Sequence, residues 1–381
     1  MTKPGRRKIA EIRRVIVWTN YRALNPNVQG SCTCFSHKAL AQALTDWRRR
    51  IPAPRQAMAD IRWLSTFEED HLTRALFLLI PITFGVLPLT AATPGRPPIT
   101  NIANFVVKTD NLDEARRFYS GVLGYDEVFR HRRTISGPAE LSVFKVNDHQ
   151  YIEVAPTLEN PTDDKLIQIG FETADARRLR DYLAGRGVSV PSRVSKDSDG
   201  NYSFVVKDPE GHSIEFVEYL EGSLQSNYRG KGISDRRISD HMLHVGVHVK
   251  SPPQQDKFYK DILGFRFLWQ GGPRDDRLDW ISYLTPDGDN WIEYMVEHDG
   301  PPTPQQLGVW HHVCVGTLDI QTVYKTAMDR GYKPPKEPGI NARDGRWLLQ
   351  LYDKNGTRTE VMVRKPVQTP CCSENMDPYI K

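Results

Sequence analysis

Cysteine is scarce in this chain. Five occur in 381 residues, and four stand in two close pairs toward the ends, Cys32 with Cys34 and Cys371 with Cys372. The long middle holds Cys314 alone, so neither a disulfide framework nor a thiolate zinc ribbon can organise it. A single cysteine on a strand reads as a small buried hydrophobe. An excess of one charge is also missing: the formal net charge is +4, and the arginine-rich runs at residues 5–8 and 48–50 precede the body of the chain. With no RNP-type aromatic motif, Cys/His finger or helix-turn-helix pattern, nucleic acid is not an expected partner. No GxGxxG turn, Walker loop or Gly-x-Ser-x-Gly elbow follows a strand, which leaves nucleotide cofactors and serine-hydrolase chemistry without support.

Long hydrophobic runs are absent too. A membrane span needs about 20 apolar residues, whereas the longest candidate here, Ala75 to Leu89, is shorter and is broken by Pro81 and Pro88. Arg74 ahead of it and Thr90-Ala91-Ala92 behind it give the pattern of a secretory signal. The expectation is cleavage near Ala91 or Ala92, an exported or periplasmic protein, and no stable membrane span in the mature form. If the segment is instead an apolar helix, the protein is cytoplasmic. Because the segment lies far into the chain, translation is expected to start near Met58 or Leu72. Residues 1–73 then read as a poorly ordered extension or a gene-model artefact, and 74–96 as the signal-like segment with a Pro-rich linker.

What the chain does contain is an internal repeat. Phe118-Tyr-Ser-Gly-Val-Leu-Gly124-Tyr125 returns as Phe258-Tyr-Lys-Asp-Ile-Leu-Gly264-Phe265, 140 residues later. Apolar residues at i, i+4 and i+5 make a helical face, and the glycine is a C-cap. Asp208-Pro-Glu-Gly-His-Ser-Ile-Glu215 returns as Asp353-Lys-Asn-Gly-Thr-Arg-Thr-Glu360, 145 residues later, each a turn feeding an alternating strand. Similar turns at Asn147-Asp148 and Asp287-Gly288 precede Tyr151-Ile-Glu153 and Trp291-Ile-Glu293. Four units result. Their first strands are expected at 102–108, 166–173, 242–250 and 311–317, with helices starting near Leu112, Ala176, Pro253 and Ile320.

Strand, helix with Phe-Tyr-x-x-x-Leu-Gly, and a closing strand after Asp-x-x-Gly-x-x-x-Glu is a pattern that resembles the vicinal-oxygen-chelate (VOC) superfamily of glyoxalases, bleomycin-resistance proteins and extradiol dioxygenases. The resemblance implies an α+β fold of four βαβββ modules in two tandem domains. Modules one and two occupy 97–222, a Ser/Gly/Arg-rich linker 223–240, modules three and four 241–366, and a tail 367–381. It also implies that each first strand supplies a His or Gln to a metal and each closing strand a Glu. In the second pair these positions hold His244, Glu293, His312 and Glu360. Each Glu follows its His at nearly the same interval, 49 residues (293 − 244) and 48 residues (360 − 312). Two imidazoles with one or two carboxylates suit one Fe, Mn, Ni or Zn ion and leave room for two substrate oxygens. His311 must face away from His312 on its strand, and His241 and His248 are expected to be solvent-exposed structural residues. In the first pair the same positions carry Asn104, Glu153, Gln168 and Glu215, with no imidazole, so this domain is expected to be metal-free and to shape or stabilise the other.

Two enzyme chemistries fit the resemblance. In a glyoxalase-like lyase or isomerase, Glu293 or Glu360 would take a proton from carbon beside a metal-bound oxygen. In an extradiol ring-cleaving dioxygenase, His244, His312 and Glu360 would hold Fe(II). Such enzymes also use a histidine and a tyrosine ahead of the last ligand; here position 350 is Gln, residues 339–347 contain no His, and Tyr352 is off register. The expectation is therefore proton transfer on a small substrate with vicinal oxygens, with ring cleavage and non-catalytic small-molecule binding or resistance as alternatives. Five tryptophans, Trp269, Trp280, Trp291, Trp310 and Trp347, read either as cavity contacts or as packed core. Four modules in one chain can pair within a monomer, and a homodimer remains open.

Overall fold

A computed structural model describes residues 95–132 and 140–380. The extension at 1–73 and the signal-like apolar segment lie outside the described residues. No described helix is long and apolar enough to cross a membrane.

Among the described residues, sixteen strands form two eight-stranded sheets. The first contains β1 (Ile99–Lys108), β2 (Asp126–Arg132), β3 (Glu140–Lys145), β4 (Tyr151–Ala155), β5 (Leu166–Thr173), β6 (Ser195–Lys196), β7 (Tyr202–Lys207) and β8 (Ser213–Glu218). The second contains β9 (Met242–Val249), β10 (Arg266–Gly271), β11 (Trp280–Leu284), β12 (Trp291–Val296), β13 (His312–Thr317), β14 (Gly339–Ile340), β15 (Trp347–Tyr352) and β16 (Arg358–Val363). Spatial order is β2-β3-β4-β1-β5-β8-β7-β6 in the first and β10-β11-β12-β9-β13-β16-β15-β14 in the second. In each sheet two βαβββ modules meet through their first strands, which run antiparallel, while each first strand pairs in parallel with its own module's closing strand. The architecture is the α+β, four-module arrangement in two tandem domains expected from the repeat.

Among the described residues, six α-helices connect the strands: α1 (Leu112–Arg116), α2 (Ala176–Ala184), α3 (Leu224–Asn227), α4 (Pro252–Asp256), α5 (Pro304–Trp310) and α6 (Ile320–Asp329). The repeated Phe-Tyr-x-x-x-Leu-Gly segments depart from the α-helical face expected of them. They form π-helical turns, Arg117–Val122 and Lys257–Ile262, continuing α1 and α4. Leu123 N donates to Phe118 O and Leu263 N to Phe258 O, both at 2.9 Å. That five-residue bond is why apolar side chains recur at i and i+5 as well as i+4. Gly124 and Gly264 then end the helices with φ of +80° and +79°, the left-handed C-cap conformation.

The halves do not have separate cores. One continuous apolar cluster runs through both, with Phe171 of the first against Phe265 of the second at 5.3 Å between ring centroids. Polar ties are reciprocal. Tyr119 Oη donates to Asp353, and the equivalent Tyr259 Oη donates to Asp208, each at 3.3 Å. Gln150 Oε1 accepts from Met242 N at 2.7 Å, and the equivalent Asn290 Oδ1 accepts from Ile102 N at 3.0 Å. Residue i of one half meeting residue j of the other, and j meeting i, is the signature of a two-fold relation, here internal to one chain.

The C-terminal tail runs across the open side of the second sheet. Met376 N donates to Leu268 O and Gln270 N to Ser373 Oγ on the edge strand β10, while Cys371 N donates to Arg343 O in the loop before β15. Cys371 and Cys372, unassigned by sequence, are joined to each other by a disulfide, and Cys314 is free and buried as expected.

The two equivalent turn aspartates differ in a way that yields a test. His212 stands 2.8 Å from Asp208 and, against the effect of burial, lowers that carboxyl below its ordinary value. At the equivalent position the chain has Thr357, and burial pushes Asp353 up to about 6. A carboxyl whose folded pKa lies above its unfolded one favours the fold most below pH 4 and loses that contribution as pH rises through 6; Asp208 has the opposite sign. In chemical denaturation at pH 7.5, Asp208→Asn should therefore lower stability, whereas Asp353→Asn should be neutral or raise it by up to roughly 3 kcal/mol. Equal losses in both would refute this account.

Candidate metal centre

The strand order places four chemistry-bearing residues side by side. β12, β9, β13 and β16 are neighbours at the centre of the second sheet and carry Glu293, His244, His312 and Glu360 respectively. His312 lies opposite Gly246 across the antiparallel β9–β13 pair. A Cβ at 246 would stand 2.0 Å from His312 Cε1 and 2.7 Å from Trp310 O, so the missing side chain makes room for the imidazole.

The four side chains converge. His244 Nε2 and His312 Nε2 are 3.0 Å apart. Glu360 Oε2 lies 3.3 Å from the first and 3.6 Å from the second, and Glu293 Oε2 lies 3.8 and 3.7 Å away. His312 Nδ1 is 3.0 Å from Trp310 O, to which it donates, so its Nε2 is left as a bare lone pair. His244 is held through its ring face, 5.0 Å from Trp291, and its Nδ1 has no hydrogen-bond partner.

The charge states follow from burial and one cation. Burial pushes His312 down to about 3, and the Arg358 guanidinium adds to the shift. Burial also raises Glu293, partly opposed by His244. Burial would raise Glu360 as well, but Arg358 and the two imidazoles outweigh it and hold that carboxyl well below the carboxylate range. A neutral, buried imidazole facing another imidazole nitrogen and two carboxylate oxygens is a set of acceptors with too few protons among them.

A divalent ion fits this set. Two donors each about 2.1 Å from one ion stand roughly 3.0 Å apart at a right angle and roughly 3.4 Å apart at the tetrahedral angle, close to the spacings found. His244, His312 and Glu360 make the tightest group, their donor atoms all within 4.8 Å of one another. Glu293 stands slightly further out.

Beside the carboxylates opens a cavity of about 80 Å³, lined by Trp269, Trp280, Met295 and Met362 among apolar groups and by Asn341, Asp344, Gln350 and Arg358 among polar ones. Burial pushes Asp344 up to about 6 despite Arg346 beside it. No further imidazole lines this cavity among the described residues.

The other sequence-selected residues distribute as follows. His311 faces away, 2.9 Å from Asp164, as its strand position required. His241 is half-buried against Asp289. His248, expected at the surface, is only 6% exposed: it stacks on Trp310 at 5.4 Å and pairs with Glu297 at 2.8 Å. Of the five tryptophans, two line the cavity, Trp291 supports His244, Trp310 supplies the carbonyl to His312, and Trp347 packs on the core. In the first half, Asn104 Nδ2 and Gln168 Nε2 each donate to Glu215 Oε2 at 2.8 Å, and Glu153 turns to His131 at 3.3 Å. Amide protons there do what a cation would do in the second half. Sequence reasoning passed over Arg358 and Gly246, and it read Trp310 as a cavity contact or packed core, not as the carbonyl that orients His312. Arg358 was accessible to it, because position i−2 on a strand shares the face of Glu360; Gly246 depends on which strand lies opposite.

Paired βαβββ modules, with two imidazoles and two carboxylates converging at the centre of the second sheet, point to one superfamily. The model of the Glyoxalase/Bleomycin resistance protein/Dioxygenase superfamily matches residues 101–216 and 241–361, and the chain belongs to that superfamily. No curated protein matches the chain significantly. Among solved structures it is similar to an Mn(II)-bound glyoxalase from Novosphingobium aromaticivorans, with 19% identity, 70% of this chain and 83% of that one covered, and a TM-score of 0.50. It is likewise similar to an extradiol ring-cleaving dioxygenase from B. fuscum, with 16% identity, 72% and 74% covered, and a TM-score of 0.52. Homoprotocatechuate 2,3-dioxygenase from Arthrobacter globiformis gives 18% identity, 72% and 83% covered, and a TM-score of 0.51. At these identities the likeness concerns the fold.

Elemental analysis of protein purified without chelator should find one divalent ion per chain. His312→Ala and Gly246→Ala should each lose it, the second because the added methyl displaces the imidazole, while Gln168→Ala should keep it. A metal-free wild-type protein that takes up no added divalent ion would remove this assignment.

Proposed function

We propose that the protein is a divalent-metal-dependent lyase or isomerase of the glyoxalase kind, acting on a small substrate with vicinal oxygens by proton transfer. His244, His312 and Glu360, with Glu293, would hold the ion, which supplies Lewis acidity toward two neighbouring substrate oxygens. The observation that carries the reading is the fourth group. Glu293 lies 3.7 to 3.8 Å from both imidazoles, outside the tight three-residue group yet on the cavity wall. A carboxylate raised by burial and set beside the substrate space is a stronger base than one in water. It is placed to take a proton from the substrate carbon and to return it one atom away. Glu360, held ionised by Arg358 and the imidazoles, stays a ligand. Trp269 and Trp280 line the cavity beside Glu293 and give it an apolar wall.

A specific observation also supports ring cleavage: His244, His312 and Glu360 alone make a three-ligand group suited to Fe(II). Against it, Gln350 and Asp344 line the cavity where an imidazole and a phenol would be needed.

The Mn(II)-, Ni(II)- or Zn(II)-loaded protein should exchange a substrate C–H with D₂O, read by NMR across a panel of hydroxycarbonyl compounds. Glu293→Gln should cut that exchange by about 10²- to 10⁴-fold and keep the metal. Oxygen uptake with catechols by the Fe(II)-loaded protein, with no exchange in any metal form, would decide for the other reading.

A further inference from the structure

We infer that the substrate bound at this centre is an anion, with an ionised oxygen among the pair it presents to the metal, and that Arg358 is the residue that receives it. The inference rests on the proposed function, since it concerns the same site.

Arg358 is buried, 6% exposed, and lines the cavity together with Glu293 and Glu360. Among the described residues no carboxylate lies within ion-pair distance of it. Among the described residues its guanidinium has only the two nitrogens of the His312 ring within hydrogen-bond distance, 2.8 and 3.0 Å from Nη2, and its Nε has no partner. Neither ring nitrogen is an acceptor it could keep. Nδ1 donates to Trp310 O, and Nε2 is the atom directed at the metal position. A guanidinium in a fully formed site therefore keeps a buried charge, an Nε with no partner and no protein acceptor of its own, and an anion in the cavity would supply one.

The charges of the site give the same answer. Two carboxylates, Glu293 and Glu360, balance one divalent ion. Asp344 is matched by Arg346 at 3.7 Å. Arg358 is left over, a single positive charge beside the place where two substrate oxygens would bind.

The first half serves as an internal control. There the position equivalent to Arg358 is Ser213, whose Oγ accepts from Lys207 Nζ at 2.8 Å, and the surrounding Asn104, Gln168 and Glu215 are satisfied by one another. Among the described residues no guanidinium stands at the equivalent position of the first half, and the imidazole there, His131 on β2, meets Glu153. Arg358 also stands two residues before Glu360 on β16, so it is anchored to the same rigid strand as a metal ligand and reaches the metal-bound oxygens, not a remote part of the substrate. With a cavity of about 80 Å³, room for about half a dozen water-sized groups, the fitting class is a compact 2-oxo or 2-hydroxy carboxylate, or a comparable oxyanion.

The test uses the full chain, Mn(II) alone, and then oxalate as the anionic probe and butanedione as the neutral one, all by calorimetry. Wild type should bind Mn(II), and the loaded protein should bind oxalate. R358Q should keep Mn(II) affinity within about threefold and bind oxalate at least tenfold more weakly, with butanedione unchanged; R358K should recover part of the loss. A loss of oxalate affinity below tenfold in R358Q overturns the inference. So does a folded R358Q that has lost Mn(II), which would make Arg358 a support for His312. Should circular dichroism show R358Q unfolded, R358K decides: oxalate at least threefold weaker with Mn(II) unchanged upholds the inference, and wild-type oxalate affinity overturns it. If wild type takes up no Mn(II), the proposed function fails by itself; oxalate titrated into metal-free wild type and R358Q then still reads the arginine, and equal binding there overturns the inference as well.

Discussion

Two buried imidazole nitrogens 3.0 Å apart cannot both be left with lone pairs pointing at each other, and the second half of this protein is arranged around that constraint. Trp310 O fixes the tautomer of His312, Trp291 holds the ring of His244, and Gly246 vacates the space that His312 fills. Glutamates arrive from the two flanking strands. Each of these groups narrows the choices of the others until a small cation is what satisfies the set. The sheet supplies the rigidity: the four residues sit on adjacent strands whose hydrogen-bonded register does not allow them to drift apart.

The first half shows the same backbone solution with a different chemistry. Replace the imidazoles by Asn104 and Gln168, and the amide protons reach Glu215 directly. The network is neutralised by hydrogen bonds and becomes part of the interior. The internal two-fold axis then gives this half its role in stability, because Tyr119 with Asp353, Tyr259 with Asp208, Gln150 with Met242 and Asn290 with Ile102 join halves that share one core. Removing one half would expose a large apolar face of the other.

Much of this was legible from spacing. Repeats at 140 and 145 residues located the four modules, because each closing strand must return beside its own first strand and the connecting lengths are thereby constrained. The superfamily pattern then pointed to His244 and His312 among their neighbours, and the strand period of two sent His311 to the other face. Two local expectations went astray for reasons of context. The repeated helices took π-helical turns, in which Leu123 N and Leu263 N bond the carbonyl five residues back. His248 was judged by its residue type as a surface group, but α5 laid Trp310 over it.

The sequence by itself determined the module pattern and the helix stops at Gly124 and Gly264, since both depend on local periodicity and on conformations available only to particular residues, and its superfamily resemblance offered the four candidate donors. The tertiary structure decided what surrounds those donors. Which glycine clears the path of His312 and which cation stands beside its ring depend on neighbouring strands tens of positions away, and the Trp310 carbonyl, only two residues before His312, reaches the ring through the way α5 runs into β13. Electrostatic balance is a property of everything within a few ångströms, and only folding determines what lies there.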